Sequence, residues 1–388
     1  MSSVNIYLEE RFIYFDNSYY SLVYDDSYWE RYFQVFSTIY VVARVKKISD
    51  STLLPDGYKR LDNKNVRFKN FPYYHGLLQS IIYLPLVLFF ILFNVLKSQN
   101  NILRLPGIVS IIAGIFCYIF RKKFAVELVG DPYDVFSSGV GGRLSRILRL
   151  IFTCLTKIIV KKALAVSYVT QYTMQQRYPA NVKAFTTYYS SITLNNNVFS
   201  EKNIRTSINK NNFRILMVGS LEQMYKGFDI AIKAIDRLDF KKNIEVNIVG
   251  DGQYRDYLQH LINTRGMENI FIFHGKIARE EIFELMEKVD LFLMPSRTEG
   301  LPRALIEAMS KGLPAIGSNV GGIPELLPSD WIFENEDDLE LSNKISLIYN
   351  LDNIEEISIL NMSKAKEFQA DTLQERRKKL YLALKNSR

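Results

Sequence analysis

Cysteine is nearly absent from this chain. Its 388 residues hold two, Cys117 and Cys154, far apart and in no CxxC arrangement. That excludes a disulfide scaffold and a cysteine-based zinc site, and it fits a reducing compartment. The first ten residues lack a basic region followed by an apolar run, so no secretory signal is expected. Internal repeats are missing. So are zinc-finger, helix-turn-helix and RNA-recognition signatures, and nucleic acid is not an expected partner. Neither of the two apolar stretches that stand out reaches the ~20 residues a spanning helix needs. The longer, Ile81–Leu96, has 16 residues and contains Pro85, expected to disrupt it; Ile108–Phe120 has 13.

Acidic residues are scarce in the first half. Residues 1–205 carry 25 Lys and Arg against 13 Asp and Glu, while the remainder carries 24 against 28. A basic half suggests an anionic partner, with a solvated basic surface as the plainer reading. Basic residues flank both apolar stretches: Lys97, Arg104 and Arg121-Lys122-Lys123. Arg143, Arg146 and Arg149 recur at helical spacing among Leu144, Ile147, Leu148 and Ile151, and Lys157, Lys161 and Lys162 follow. A basic amphipathic helix beside apolar segments points to an anionic membrane surface. For Ile81–Leu96 three readings stand: a buried core helix, a dip into one leaflet, or a span.

The hydrophobic fraction of 48% supplies two cores, and the length suits two domains. Residues 195–212 are polar and asparagine-rich, and read as a linker or long surface loop. We expect domains at 1–205 and 206–370, with 371–388 a closing helix packing towards the first. Beyond the linker, short apolar runs alternate with helical patterns: strands at 214–218, 244–249, 270–273, 291–294 and 314–317, helices at 230–238, 254–263, 280–289 and 302–309. That alternation predicts a parallel sheet covered on both faces. Ligands of such sheets bind beyond the carboxyl ends of the strands. The first half is less regular. Expected strands are 4–9, 11–15 and 19–23, with further ones within 34–45 and at 101–105, 124–129 and 164–169.

Four segments follow strands of the second half. Gly219-Ser220-Leu221, with Lys226-Gly227 before a helix, suits a phosphate: backbone donors at a helix start and a lysine point charge. A lysine in a surface turn would look the same. Val249-Gly250-Asp251-Gly252 allows a tight turn, with simple turn chemistry as the alternative. Pro295 to Met309, PSRTEGLPRALIEAM, puts Glu299 in a loop and Glu307 on the following helix, spaced to reach two ends of an extended ligand such as a sugar and a ribose. In Gly317 to Glu325, paired glycines admit close backbone approach.

Together these segments resemble the retaining glycosyltransferase family 4, of the GT-B fold. Glu299 to Glu307 matches its E-x7-E motif and GSLEQMYKG its phosphate loop; IVGDG, FHGKI, PSRTEG and GSNVGGIPEL match further segments in order. The close match covers residues 213–330. The resemblance implies an α/β architecture of two Rossmann-like domains facing each other across a cleft, and roles for particular residues. Lys226 would hold the donor diphosphate, Glu307 the ribose, and Glu299 would stand near the donor sugar as a catalytic carboxylate. Gly219, Ser220, Gly250, Gly300, Leu301 and Arg303 would line the donor, with Gly275 and Ile277 bordering the base. No metal or other cofactor is expected. The family's arginine in the phosphate loop is replaced by Ser220, with Arg297 or Arg303 as substitutes. Its N-terminal glycine-rich loop is not evident, nor is its N-terminal histidine. Asp131 is proposed on the acceptor side as a catalytic contact, with His75 as the other candidate; His260 and His274 are not expected to be catalytic. The expected activity is retaining transfer of a hexose from a UDP- or GDP-sugar to a glycan acceptor hydroxyl, with a lipid-linked acceptor suggested by the basic, apolar first half. The setting would be bacterial capsule, exopolysaccharide or lipopolysaccharide synthesis, in the cytoplasm at the inner membrane face. The alternative is a catalytically inactive partner subunit that binds a nucleotide sugar.

Overall fold

The computed structural model describes residues 2–55, 57–74, 76–137, 142–192, 194–195 and 198–387. It divides into two compact units, Met1–Tyr189 with Gln374–Arg388, and Ser190–Leu373. The described strands of the first unit are β1 (Ser3–Phe15), β2 (Ser18–Ser21), β3 (Thr38–Lys47), β4 (Lys59–Leu61), β5 (Val66–Phe71), β6 (Asn101–Leu105), β7 (Phe124–Leu128), β8 (Ala165–Tyr168) and β9 (Phe185–Tyr188). Its helices are α1 (Asp26–Phe33), α2 (Gly76–Lys97), α3 (Ile108–Ile119), α4 (Pro132–Ser137), α5 (Ser145–Lys162) and α6 (Thr173–Arg177).

Parallel pairing runs β5-β3-β1-β6-β7-β8-β9. The chain moves outward from β1 in one direction, returns, and moves out in the other, which sets a switch point between β1 and β6. Right-handed crossovers put α2, α3 and α5 on one face, and α2 packs on α3 and α3 on α5. Two separate strands were expected at 4–9 and 11–15; a single 13-residue strand forms instead. Its pairing with β3 shifts register between Tyr7 and Arg11, which accommodates the polar pair Glu9-Glu10 without ending the strand. Beyond it Asp16 and Asn17, both at positive φ, turn the chain into the antiparallel β1–β2 hairpin. That hairpin stands where a glycine-rich loop was sought.

Pro85 does not break Ile81–Leu96. The helix α2 runs through it for 22 residues; one ladder bond is lost, and the turns on either side carry it on. Val87, Ile91 and Val95 are buried, so one side of this stretch is a core helix. Among the described residues no helix is long and apolar enough to cross a membrane.

The second unit holds β10 (Phe213–Val218), β11 (Ile244–Val249), β12 (Phe271–Gly275), β13 (Leu291–Met294), β14 (Ala315–Ser318) and β15 (Ile332–Phe333), with α7 (Phe228–Asp236), α8 (Arg255–Asn263), α9 (Arg279–Lys288), α10 (Arg303–Ser310), α11 (Asp338–Asn350) and α12 (Glu355–Lys366). A last helix, α13 (Ala370–Asn386), starts among its residues and from Gln374 belongs to the first unit. All six strands are parallel, in the order β12-β11-β10-β13-β14-β15. β13 and β14 are buried at every position, as expected of strands covered on both faces. The core joins Ile215, Met217, Val246, Ile248, Leu293 and Ile316 to Ile232 and Ile235 of α7 and Leu341 and Ile345 of α11.

The segment expected to link the domains lies within this unit. Leu194 bridges Gln369, the Arg205 guanidinium donates to the carbonyls of Met286 and Val289, and Ile208 is buried in the core. Asparagine-rich composition hid two anchoring side chains, Arg205 and Ile208.

Candidate functional site

The strand order of the second unit reverses between β10 and β13, so its switch point lies beyond their carboxyl ends. Two sequence motifs meet there. Gly219 to Gly227 follows β10, and Pro295 to Leu301 follows β13. Backbone contacts bind the loops together: Arg297 N–H donates to Tyr225 O at 2.7 Å. Gly227 has φ 68°, and a Cβ there would stand 1.8 Å from the Pro295 carbonyl oxygen. Only glycine permits that approach. Likewise Gly321, after β14, has φ 53°, and an added Cβ would lie 1.8 Å from Glu299 O.

This packing brings Lys226 Nζ to 2.5 Å from Glu299 Oε1, with the two side chains 16% and 10% exposed. Ser296, fully buried, donates its hydroxyl to the same carboxylate oxygen at 2.9 Å. The lysine stem crosses Gly219, whose missing Cβ leaves room for it: a Cβ would be 2.9 Å from Lys226 Cγ. A cation and an anion therefore sit together at the sheet mouth, held by two loops.

The second carboxylate of the motif, Glu307, lies on α10 and takes two hydrogen bonds from Arg279, 3.0 Å from Nε and 2.7 Å from Nη2. Arg279 is the first residue of α9, just after Gly275-Lys276-Ile277-Ala278. Gly275 closes β12 and accepts from Gly250 N–H at 2.8 Å, so the β11 and β12 loops are joined too. Ile277 is half-buried and Lys276 exposed. Gly300 O accepts from Gly322 N–H at 2.7 Å, tying the fourth motif to the third. Ser220 is exposed and its hydroxyl accepts from Glu222 N–H at 3.2 Å.

The two arginines named as substitutes separate. Arg297 is already committed. Its guanidinium grips both Asp229 oxygens at 2.8 and 2.9 Å, Met224 O at 2.7 Å, and both oxygens of Glu336. The bonds to Asp229 hold its pKa well above the ordinary arginine value. It clamps the 224–226 turn to the first turn of α7, and its donors are engaged in this arrangement. Arg303, the first residue of α10, is exposed and has no side-chain partner among the described residues. Arg279, Ser296 and Asp229 escaped the sequence reading, because their partners lie far along the chain and no local pattern marks them.

Asp131 follows β7 in the first unit and is 5% exposed. It accepts from Tyr133 N–H at 2.8 Å and the Tyr178 hydroxyl at 2.6 Å, and pairs with Arg177, which also reaches Asp134 at 2.9 Å. Both its oxygens are thus engaged. His274 Nε2 lies 2.7 Å from Asn247 Oδ1, within the second unit's sheet, and His260 is on α8. His75 is outside the described residues. The switch point of the first unit is filled by its own chain: Glu9 accepts from Val109 N–H, at the start of α3, at 3.0 Å and pairs with Arg44 at 2.7 Å. A carboxylate there occupies the helix terminus that would otherwise receive a phosphate.

Known proteins can be set beside this geometry. The family model described as "Glycosyl transferases group 1" matches residues 199–364. Protein CapJ of Staphylococcus aureus is 30% identical over 336 residues, 86% of this chain and 82% of that one. The amylovoran biosynthesis glycosyltransferase AmsK of Erwinia amylovora is 36% identical over 129 residues, 31% of each. Among solved structures, the sucrose-phosphate synthase of Thermosynechococcus elongatus superposes with a TM-score of 0.69 at 15% identity, covering 99% of both chains. Anabaena HepE in complex with UDP gives 0.65 at 17% identity, covering 98% of this chain and 99% of that one. The likeness in fold identifies the architecture as GT-B, with two Rossmann-like domains.

Proposed function

The chain belongs to the group 1 glycosyl transferases and is a glycosyltransferase; from that premise we propose that it moves a hexose from a nucleoside diphosphate sugar to a hydroxyl of a lipid-borne glycan, with retention, during synthesis of a cell-surface polysaccharide. The observation that carries the reading is the Lys226–Glu299 pair at the second unit's switch point, 2.5 Å apart, with Glu307 on the adjoining helix. HepE with bound UDP supports a uridine nucleotide as donor. AmsK, named for amylovoran biosynthesis, supports a polysaccharide product. The basic, apolar first unit supports a lipid-linked acceptor at the cytoplasmic membrane face.

In this reading the bond between the anomeric carbon and the diphosphate oxygen breaks, the acceptor oxygen bonds to that carbon, and the acceptor proton passes to the departing diphosphate. Negative charge grows on the departing diphosphate. Lys226 exchanges Glu299 for that charge, and the loop backbone ahead of α7 adds preorganised donors. Glu299, released, faces the sugar as it becomes cationic. Glu307 takes the ribose hydroxyls, and Arg303 supplies the cation that the phosphate loop lacks at Ser220. Gly219, Gly250, Gly300 and Leu301 let backbone come close to the donor, and Gly275 and Ile277 border the base. These groups carry the charge without a metal. Asp131 shapes the acceptor side through Arg177 and Tyr178.

The test is a thermal-shift screen over UDP, GDP, ADP and their sugars, followed by turnover. A ligand that binds only the folded chain raises the melting temperature. We expect UDP or a UDP-sugar to give the largest rise, and Glu299→Ala to abolish turnover. No rise with any nucleotide sinks the donor assignment. Nucleotide binding with no turnover leaves the inactive-partner reading instead.

A further inference from the structure

Two helices of the first unit turn apolar faces to solvent. On α2, Ile82, Leu86, Phe89 and Phe93 are exposed at i, i+4, i+7 and i+11, forming one stripe. Ile82 and Phe89 are each 64% exposed. A surface helix ordinarily gives this side to charged residues, yet α2 has none before Lys97. On α5, Ile147, Leu150, Ile151 and Ile158 are exposed while Ile159 and Val160 are buried. Between them α3, packed on both, exposes Tyr118 and Ile119 in its last turn, and Phe120 just after it.

Cations gather at one end of this layer. Lys97, Arg121, Lys122, Lys161 and Lys162 close the three helices. Lys122 Nζ donates to Leu96 O at 2.6 Å, Lys162 Nζ lies 4.6 Å from the Tyr118 ring, and Lys97 Nζ 4.0 Å from the Phe93 ring. The three helix ends therefore touch. Helix dipoles account for cations at these ends, but not for the exposed Phe, Ile and Leu beside them. Neither 63–126 nor 135–200 holds an acid, and none of the five forms an ion pair among the described residues.

We propose that the α2–α3–α5 face docks the chain on one leaflet of a bilayer that carries anionic lipids. The apolar stripes enter the acyl boundary, and the five cations meet headgroup phosphates. A second copy of the chain fits this face poorly, since pairing two such faces would set five cations against five. The proposal rests on the reading of a lipid-borne acceptor and names the surface that reaches it.

The test is flotation with phosphatidylglycerol–phosphatidylcholine vesicles and with pure phosphatidylcholine vesicles, read without donor. The chain should float with the anionic vesicles and at least tenfold less with the neutral ones. The Lys161→Glu/Lys162→Glu variant and, separately, Phe89→Asp/Leu150→Asp should each lose most of the binding. Their side chains are exposed, so unchanged melting temperatures will show that both still fold. No flotation in the native chain, or undiminished flotation in both variants, overturns the proposal. A dimer in light scattering that Phe89→Asp/Leu150→Asp breaks, without vesicle binding, overturns it in favour of self-association. Turnover on a water-soluble acceptor without vesicles isolates the other reading: flotation without turnover strikes the enzyme, and turnover without flotation strikes only the docking face.

Discussion

Lys226 is held by Glu299 at 2.5 Å in a site only 16% exposed on the lysine side, so in the proposed reaction its charge is in place before the diphosphate arrives. Loss of one preorganised donor costs about 10²–10³ in rate in comparable sites. Lys226→Ala should lower kcat by about that factor, and the melting temperature should fall as well, because Glu299 is left nearly buried without its counter-charge; initial rates with donor in excess, at a temperature where the variant is folded, check the first. Glu307 poses a different question, because its partner Arg279 is 47% exposed. An exposed pair of this kind adds little stability, about 0–1 kcal/mol, yet two donors of one guanidinium converging on Glu307 Oε1 hold that oxygen in place. Arg279→Ala should therefore leave the melting temperature nearly unchanged and weaken UDP binding several-fold, with Arg279→Lys restoring little, since an ammonium has no fork. Calorimetric UDP titration of both variants decides it. Unaltered affinity in Arg279→Ala would remove the positioning role.

At the scale of elements, Arg297 joins three: the 224–226 turn through Met224 O, α7 through Asp229, and the segment after β15 through Glu336. Hydrogen bonds to charged groups contribute about 1.5–3 kcal/mol when buried; Arg297 is 26% exposed, so about 1–2 kcal/mol is the discounted expectation for Arg297→Ala. Urea denaturation of the second unit's fluorescence signal from Trp331 checks it, and an unchanged midpoint would show the clamp to be idle. The elements themselves were largely legible. Strands 244–249 and 291–294 stand where apolar runs end in glycine or proline, and Lys226, Glu299 and Glu307 could be named from the loops that follow. Partners were not legible, because Asp229 and Arg297 are 68 residues apart and their meeting depends on sheet register. The first unit was read less well. Glu9-Glu10 looks like a break between two strands, but the polar pair sits in a register shift of a strand whose neighbours are already fixed. Pro85 misled for a related reason: an apolar helix with buried Val87, Ile91 and Val95 is retained by its packing despite one missing bond.

Across the whole molecule the chain returns at its end to where it began, and one buried acid records that closure. Glu127 on β7 is 1% exposed and pairs with Arg104 at 2.5 Å. It accepts hydroxyl hydrogens from Tyr189 at 2.8 Å, Tyr381 of α13 at 2.9 Å and Tyr32 of α1 at 3.1 Å. Burial pushes its pKa up, but Arg104 and the tyrosine hydroxyls outweigh it and hold the carboxyl below its ordinary value. A group depressed on folding stabilises the native state above its unfolded pKa, about 4.3. That contribution is lost as pH falls through the lower folded value. Glu10, Asp134 and Asp290, raised by burial, act in the opposite sense over the neighbouring range, so the difference between two proteins is the informative quantity. Glu127→Gln removes the titrating group and leaves Arg104 buried without its counter-charge, which should cost about 3–5 kcal/mol at neutral pH. That deficit should shrink as pH drops below about 4, because the native chain loses there what the variant never had. Urea midpoints of both proteins from pH 7 down to the acid limit measure it. A deficit constant across that range would mean that the Glu127 pKa is the same in the folded and unfolded chain, and would overturn the depression assigned to Arg104 and the tyrosine hydroxyls.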